Sequence, residues 1–246
     1  MKFKLITAID REPNEMFKLW YNWHKKFFKE EEFLILNYHK NLTELEKIVK
    51  KEQILQKESF NSYQLFLNNF SDFCNLLQKQ LILEGFTVIF LDQDEFIIDK
   101  QIKKYISSCK EDIIVTKSWS IIQDVKEPTI NWDIPILNQR HYGKEEFYND
   151  KPSIIKNTPI DWCHGKHNNT SYKTDGKVIV LHFRDVDFDF LYQVTRENLN
   201  IYKEDKLHSQ RSFWIKDEDF WGWVNTEARK NIVELPLEIK LIKDEL

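Results

Sequence analysis

The sequence predicts an α/β domain with a mostly parallel sheet that is flanked by helices. Short apolar runs typical of buried strands occupy residues 3–9, 33–37 and 86–98. Segments with helical periodicity separate these runs, so that the element order up to residue 98 is β-α-β-α-α-β. Such alternation favours parallel strands joined by crossover helices. The chain is 41% hydrophobic, which is enough to form a sizeable core.

The helices of this first half carry local signals. Pro13 and Asn14 predict a helix start, because both residue types favour the first turn. Apolar residues at helical spacing follow at Met16, Leu19, Trp20, Trp23 and Phe27. Helices are also predicted over residues 43–51 and 63–83, and Gly85 after the second is a natural C-cap.

The pattern loosens after residue 100. We predict helices over residues 102–109 and 186–200, strands over 112–122, 153–156 and 177–183, an irregular segment over 126–157, and an aromatic tail. There is no internal repeat, Gly/Ser linker or low-complexity run. We therefore expect one domain over residues 1–246, with a regular half (1–123) and an irregular half (124–246).

Composition restricts the partners. The net charge is −4, from 36 basic and 40 acidic residues, and 30 of the basic residues are lysines. We therefore expect no nucleic-acid partner. No apolar run of about 18 residues predicts a membrane span. Three dispersed cysteines (Cys74, Cys109 and Cys163) favour a reduced, cytoplasmic setting, and we expect the closing Lys-Asp-Glu-Leu to be a chance match to a retention signal.

The acidic stretch Asp92-Gln93-Asp94-Glu95 follows the apolar residues 88–91. At the carboxyl end of a parallel strand, such side chains face the crevice where open α/β sheets bind ligands. Strand alternation predicts that Asp92 and Asp94 share one face, while Gln93 and Glu95 point the other way. Crowded carboxylates repel each other, and a divalent cation relieves the repulsion. The sequence therefore predicts an Mn²⁺ or Mg²⁺ site at Asp92 and Asp94, or alternatively a strand that ends in a solvated acidic turn.

Residues 88–96, VIFLDQDEF, resemble the DxD signature of GT-A-fold glycosyltransferases, most closely of the family 2 and family 92 type. The resemblance extends over about residues 3–200. It includes the first strand with Asp10-Arg11-Glu12, the helix with Trp20, Trp23 and His24, and the segments 151–156, 162–167 and 180–183. It implies a GT-A-like fold with a nucleotide-sugar-binding half over residues 1–123. The remaining residues, 124–246, would form the acceptor half.

The resemblance also implies an activity. It is transfer of a hexose from a nucleoside-diphosphate sugar to a hydroxyl group of an acceptor such as a glycan, with Mn²⁺ or Mg²⁺ between the aspartates and the diphosphate. The implied nucleotide contacts are Asp10, Arg11, Glu12, Asp92 and Lys166, and the implied metal ligands are Asp92, Asp94, His164, His167 and His182. An inverting enzyme also needs a carboxylate base. Asp161 is the candidate, with Asp124 and Asp133 as rivals.

The loop 161–176 carries the second group of candidates. Gly165 allows an unusual backbone angle, so that His164, Lys166 and His167 can converge on one point. We expect this polar loop to close over the diphosphate. The alternative is that these histidines have only a structural role, and His182 in particular follows an apolar run that favours burial.

Two other functions remain open. In a haloacid-dehalogenase-type phosphatase, Asp92 would be the nucleophile and Asp94 the general acid. Phe96 argues against it, because Thr or Val normally stands at that place, and so does the position of the motif after 90 residues of α/β structure. The third possibility is a degenerate GT-A-like module that binds ligands without catalysis.

Overall fold

The computed structural model describes residues 1–59, 63–146, 150–162, 174–201 and 217–246. The strands are β1 (Lys2–Ile9), β2 (Phe33–Asn37), β3 (Ile54–Gln56), β4 (Phe86–Phe90), β5 (Glu95–Ile97), β6 (Ile113–Ile121), β7 (Tyr142–Glu145), β8 (Lys151–Ile155), β9 (Thr174–His182) and β10 (Val233–Glu234). The helices are α1 (Glu15–His24), α2 (Thr43–Glu46), α3 (Tyr63–Leu83), α4 (Ile102–Ser108), α5 (Phe188–Ile201), α6 (Asp217–Trp223) and α7 (Leu237–Lys240).

Four parallel strands form one end of the sheet in the order β3-β2-β1-β4, with β3 at the edge. Ile6 of β1 pairs with Phe90 of β4 on one side, and Ile9 pairs with Asn37 of β2 on the other. The predicted α/β architecture, with a mostly parallel central sheet between helices, is confirmed. It is consistent with the GT-A-like fold that the resemblance implies.

The second half of the chain extends this sheet with antiparallel strands. Strand β8 lies antiparallel between β4 and β6, and β7 and β10 continue the order beyond β6. Strand β9 runs parallel to β6 and antiparallel to β5. The short strands β3, β7 and β10 were not predicted from the sequence, and the predicted strand over residues 86–98 is two strands that pair with different partners.

The core lies on both faces of the sheet. One face carries α1, whose Trp20, Trp23 and His24 are buried. Trp23 donates its indole N–H to the Ile97 carbonyl oxygen (2.7 Å), and the imidazole Nε2 of His24 accepts from the Ile97 N–H (3.4 Å). Two of these side chains, Trp23 and His24, thus attach β5 to α1; the resemblance places all three in the nucleotide-binding start. The C-terminal half of α3 covers the other face.

The last residue of the tetrapeptide 243–246 is packed into the core, and the other three are exposed. Leu246 is buried, and its carbonyl oxygen accepts hydrogen bonds from the N–H groups of Ile136 (2.6 Å) and Leu137 (3.3 Å). No helix among the described residues is long and apolar enough to span a membrane.

The buried His24 predicts a loss of stability in acid. Burial lowers the pKa of His24 to about 3, from an ordinary value of 6.5, although the bond to the Trp20 carbonyl opposes this shift. The unfolded chain therefore binds a proton that the native protein does not bind, at any pH between these two values. Stability from this residue is complete above pH 6.5 and is lost as the pH falls. By linkage, the loss at pH 5 is about 2 kcal/mol.

Urea unfolding of the wild type and of His24→Gln at pH 7.5 and pH 5 measures this effect. Between pH 7.5 and pH 5, the free energy of unfolding of the wild type should fall by about 2 kcal/mol more than that of the variant. His39→Gln, at a partly exposed position, is the matched control and should keep the wild-type pH dependence. Equal pH dependence of His24→Gln and wild type would contradict the assignment.

Candidate functional site

The centre of the sheet contains a topological switch point. From β1 the chain passes to β2 on one side, and after β3 it returns through α3 to β4 on the other side of β1. In open α/β sheets the ligand crevice lies at such a point, outside the carboxyl ends of the strands. Strand β1 is followed by Asp10-Arg11-Glu12 and strand β4 by the acidic stretch. The fold therefore brings two of the predicted segments to the same edge of the sheet.

The acidic stretch is a turn and not a strand. Strand β4 ends at Phe90, and the N–H of Glu95 donates to the carbonyl oxygen of Asp92 (3.0 Å). The prediction that strand alternation sets the faces of these residues is wrong, because alternation applies only to extended backbone. Glu95, expected on the face opposite to Asp92, instead shares a partner with it. Its carboxylate also accepts from the backbone N–H of Asp92 (2.8 Å).

That shared partner is Lys151. Strand β8 is antiparallel to β4, so its first residue lies at the carboxyl end of β4. The Lys151 ammonium contacts Asp92 Oδ2 at 2.9 Å and Glu95 Oε1 at 2.6 Å. Burial by itself would lower the pKa of Lys151, but the two carboxylates outweigh burial and raise it above its ordinary value. The Lys151 side chain is therefore positively charged and held in place beside the carboxylates of Asp92 and Glu95.

Asp94 has a different cationic partner, His182. Strand pairing sets Glu95 opposite His182, and the Phe183 N–H donates to the Asp94 carbonyl oxygen (2.7 Å). His182 Nε2 lies 3.3 Å from Asp94 Oδ2. Burial opposes charge on both groups, yet the attraction between them raises the pKa of His182 and lowers the pKa of Asp94. The pair is therefore stabilised in its charged form, and the role of His182 as a metal ligand stays a prediction.

Exposure separates the five side chains into two groups. The side chain of Asp92 is 39% exposed and that of Asp94 is 22% exposed, whereas Glu95, Lys151 and His182 are almost completely buried. The surface therefore presents two carboxylates, and the buried groups hold them in place. Carboxylate oxygens are the donors that Mg²⁺ and Mn²⁺ prefer. In the part of the chain that the structure describes, no three His, Cys, Asp or Glu side chains are arranged to hold a metal ion.

The residues after β1 lie at the same edge. Arg11 is buried, and its Nε donates to Asp10 Oδ1 (3.0 Å), while its Nη1 donates to the Val194 carbonyl of α5 (3.3 Å). Glu12 is exposed and accepts from Asn41 Nδ2 (3.3 Å). Arg11 thus ties the end of β1 to α5. Nucleotide contacts of Asp10, Arg11 and Glu12 stay predictions.

The proposed base, Asp161, lies at the surface. Its side chain is 81% exposed and forms an ion pair with Lys79 of α3 (3.1 Å). Beyond it, Trp162 stacks edge-on against Phe90 of β4, with ring centroids 4.9 Å apart. The role of Asp161 as the catalytic base therefore stays a prediction. His164, Lys166 and His167, and with them most of the expected lid, lie outside the described residues.

Two residues of this site were missed by sequence reasoning. In the sequence Lys151 belongs only to the segment 151–156 of the family resemblance, and strand alternation predicts that Glu95 points away from Asp92. The sequence contains no signal for Lys151, because the predicted strand begins at Ser153; in the structure Lys151 begins a strand in which all five residues are buried. A lysine in such a strand needs a carboxylate partner, because an unpaired buried charge is strongly unfavourable.

Comparisons with known proteins add little. No protein-family model matches the chain, and no curated protein matches it. Two solved structures of S. aureus TarS, a glycosyltransferase, are similar in shape, with 16% identity over 94% of this chain in each case. The TM-scores are 0.38 and 0.37, and the chain spans 45% and 74% of the two TarS chains. TM-scores of this size do not establish a common fold.

Proposed function

We propose that this chain is a glycosyltransferase that uses a nucleoside-diphosphate sugar. The observation that carries the proposal is the pair of accessible carboxylates, Asp92 and Asp94, at the switch point of a central parallel sheet. A diphosphate bound in this crevice needs positive charge to offset its own negative charge. The accessible carboxylates would repel it, unless they hold a cation that lies between them and the phosphates.

Asp92 and Asp94 would hold the divalent cation, Mn²⁺ or Mg²⁺. The donor set fits, because Mg²⁺ in phosphate sites is commonly held by one or two carboxylates, with phosphate oxygens and waters as the other ligands. Each carboxylate has two oxygens and about four lone-pair directions, so a carboxylate that pairs with a cationic side chain can also bind a metal ion. When bound, the cation offsets the charge that develops on the departing diphosphate.

The chain's own residues have three roles in this proposal. Lys151 and Glu95 hold Asp92, and His182 holds Asp94. Asp10 and Arg11 form the neighbouring wall of the crevice at the end of β1. Asp161 would accept the proton of the acceptor hydroxyl, for which its exposure leaves access. The acceptor would be a glycan or another hydroxyl-bearing molecule.

One contact also favours the phosphatase alternative. The Lys151 ammonium, 2.9 Å from Asp92, is placed to offset the charge of a phosphorylated aspartate. Stabilisation by beryllofluoride and Mg²⁺ in the absence of a nucleotide would support that alternative. Nucleotide binding without any turnover would support the non-catalytic module.

A thermal-shift screen of UDP, GDP, CDP and dTDP, each with and without Mn²⁺, tests the proposal. A ligand that binds only the native state adds about 2.7 kcal/mol at a concentration of one hundred times its Kd. For a chain of this length that is a rise of about 5–10 °C in Tm. We expect the rise with one nucleoside diphosphate and only with Mn²⁺ present. Unchanged Tm with every nucleotide would contradict the proposal.

A further inference from the structure

Lys151 and Glu95 hold Asp92 at two points. Glu95 uses one carboxylate oxygen for the Lys151 ammonium (2.6 Å) and the other for the Asp92 backbone N–H (2.8 Å). Lys151 in turn binds the Asp92 side chain at 2.9 Å. The backbone and the carboxylate of Asp92 are thus both attached to one buried ion pair. A buried pair of this kind cannot separate without leaving an uncompensated charge.

A positive charge lies beside Asp92 before any ligand binds. The Lys151 ammonium is 2.9 Å from the carboxylate of Asp92 and 2.6 Å from that of Glu95. A divalent cation that binds at Asp92 alone is therefore repelled by this fixed ammonium. A cation that enters with a diphosphate brings compensating negative charge with it, so the like-charge repulsion is offset.

We propose that Lys151 is a positioning residue that fixes Asp92 and makes binding of a divalent cation conditional on a diphosphate. This proposal rests on the proposed function, since it concerns the same site. The ammonium competes with the cation for Asp92 as long as no phosphate is present. With cation and nucleoside diphosphate both bound, Lys151 would keep its bond to Glu95, and Asp92 would be one of the residues that hold the cation.

Electron paramagnetic resonance of free Mn²⁺ tests this conditional binding directly. Wild-type protein is titrated with Mn²⁺ alone and then with Mn²⁺ in the presence of the nucleoside diphosphate found by thermal shift. We expect the nucleotide to tighten Mn²⁺ binding at least about tenfold. If the wild-type protein binds Mn²⁺ with equal affinity with and without the nucleotide, the proposal is overturned, independently of the results for the variants.

Lys151→Met removes the competing charge at similar side-chain length. We expect it to bind Mn²⁺ alone at least about tenfold more tightly than wild type, with a correspondingly smaller effect of the nucleotide. Lys151→Arg keeps the charge and should restore the wild-type behaviour. Lys156→Met is the matched control, because Lys156 is also buried, follows the other end of β8 and donates to the Cys109 carbonyl oxygen (2.6 Å).

Two negative results have different meanings. If Lys151→Met binds Mn²⁺ as wild type does, and the Mn²⁺–nucleotide complex still binds, then the role of Lys151 is wrong and the proposed function stands. If no nucleoside diphosphate binds with or without Mn²⁺, then the proposed function fails, and the inference about Lys151 fails with it.

Discussion

Asp94→Asn is expected to lower donor turnover at least about a hundredfold, the usual loss when one key electrostatic contact at a reacting centre is removed. The substitution keeps the shape of the side chain and removes one of the two accessible carboxylates. The assay is hydrolysis or transfer of the sugar nucleotide that corresponds to the stabilising nucleoside diphosphate, over a range of Mn²⁺ concentrations. Asp219→Asn, which removes an exposed acid of α6, is the control and should keep wild-type turnover. If Asp94→Asn keeps full activity and EDTA still abolishes that activity, then Asp94 is not a ligand of the divalent cation.

The same variant should also be less stable than the wild type. From the sequence alone, removing one of three crowded carboxylates predicts a gain in stability, because their repulsion is relieved. The pairing of Asp94 with His182 reverses this expectation, because Asp94→Asn also removes the ion pair. The raised pKa of His182 gives stability that is complete below pH 6.5 and is lost as the pH rises. The lowered pKa of Asp94 gives stability that is complete above about pH 4 and is lost in stronger acid.

The window for this effect therefore lies between about pH 4 and pH 6.5. We expect the stability difference between wild type and Asp94→Asn to be about 1–2 kcal/mol at pH 5.5, since a charge-assisted hydrogen bond is replaced by a neutral one. The difference should shrink towards pH 9. Urea unfolding at both pH values measures it, and a difference that grows with pH would contradict the assigned pair.

Arg140→Met is expected to cause the largest loss of stability, about 3–5 kcal/mol. The Arg140 side chain is completely buried and donates to the carbonyl oxygens of Pro128, Gln139 and Val186. Its guanidinium also lies 3.6 Å from the carboxylate of Asp187. Removing it leaves a buried carboxylate and three carbonyl oxygens without this donor.

Urea unfolding with a double-mutant cycle measures this loss. Arg140→Met combined with Asp187→Asn should be more stable than Arg140→Met alone, because the uncompensated charge is gone. Arg229→Met is the control, since Arg229 is only partly buried and donates to the Gln123 carbonyl oxygen (2.9 Å). A loss below about 1 kcal/mol for Arg140→Met would contradict a structural role of this size.

The elements with strong local signals were predicted closely. The bounds of β2 (residues 33–37) and α3 (residues 63–83) agree with the sequence prediction. Asn14 caps α1 by accepting from the Phe17 N–H, and Gly85 after α3 has a φ of +82°. Apolar periodicity and capping residues depend only on neighbours in the chain, so a single sequence contains them.

The short edge strands could not be predicted in this way. Strand β10 has two residues, both exposed, and β3 has three residues without a buried position. Each is a strand because a neighbour supplies hydrogen bonds, as β2 does for β3 and β7 does for β10. Residues 86–98 show the converse case. Their apolar run is continuous apart from the acidic stretch, yet β5 leaves β4 to pair with β9, which lies about 80 residues later in the chain.

For the site itself, the sequence determined the position of the acids. A buried apolar run followed by Asp92 and Asp94 places two carboxylates at the carboxyl end of a parallel strand, and local pattern is sufficient for that. Only the tertiary structure decided which groups neutralise them. Lys151 and His182 lie 59 and 88 residues further along the chain, and they reach the acids because β8 returns antiparallel to β4 and β9 pairs with β5. Charge pairing in a folded protein depends on distance in space, and strand register sets that distance.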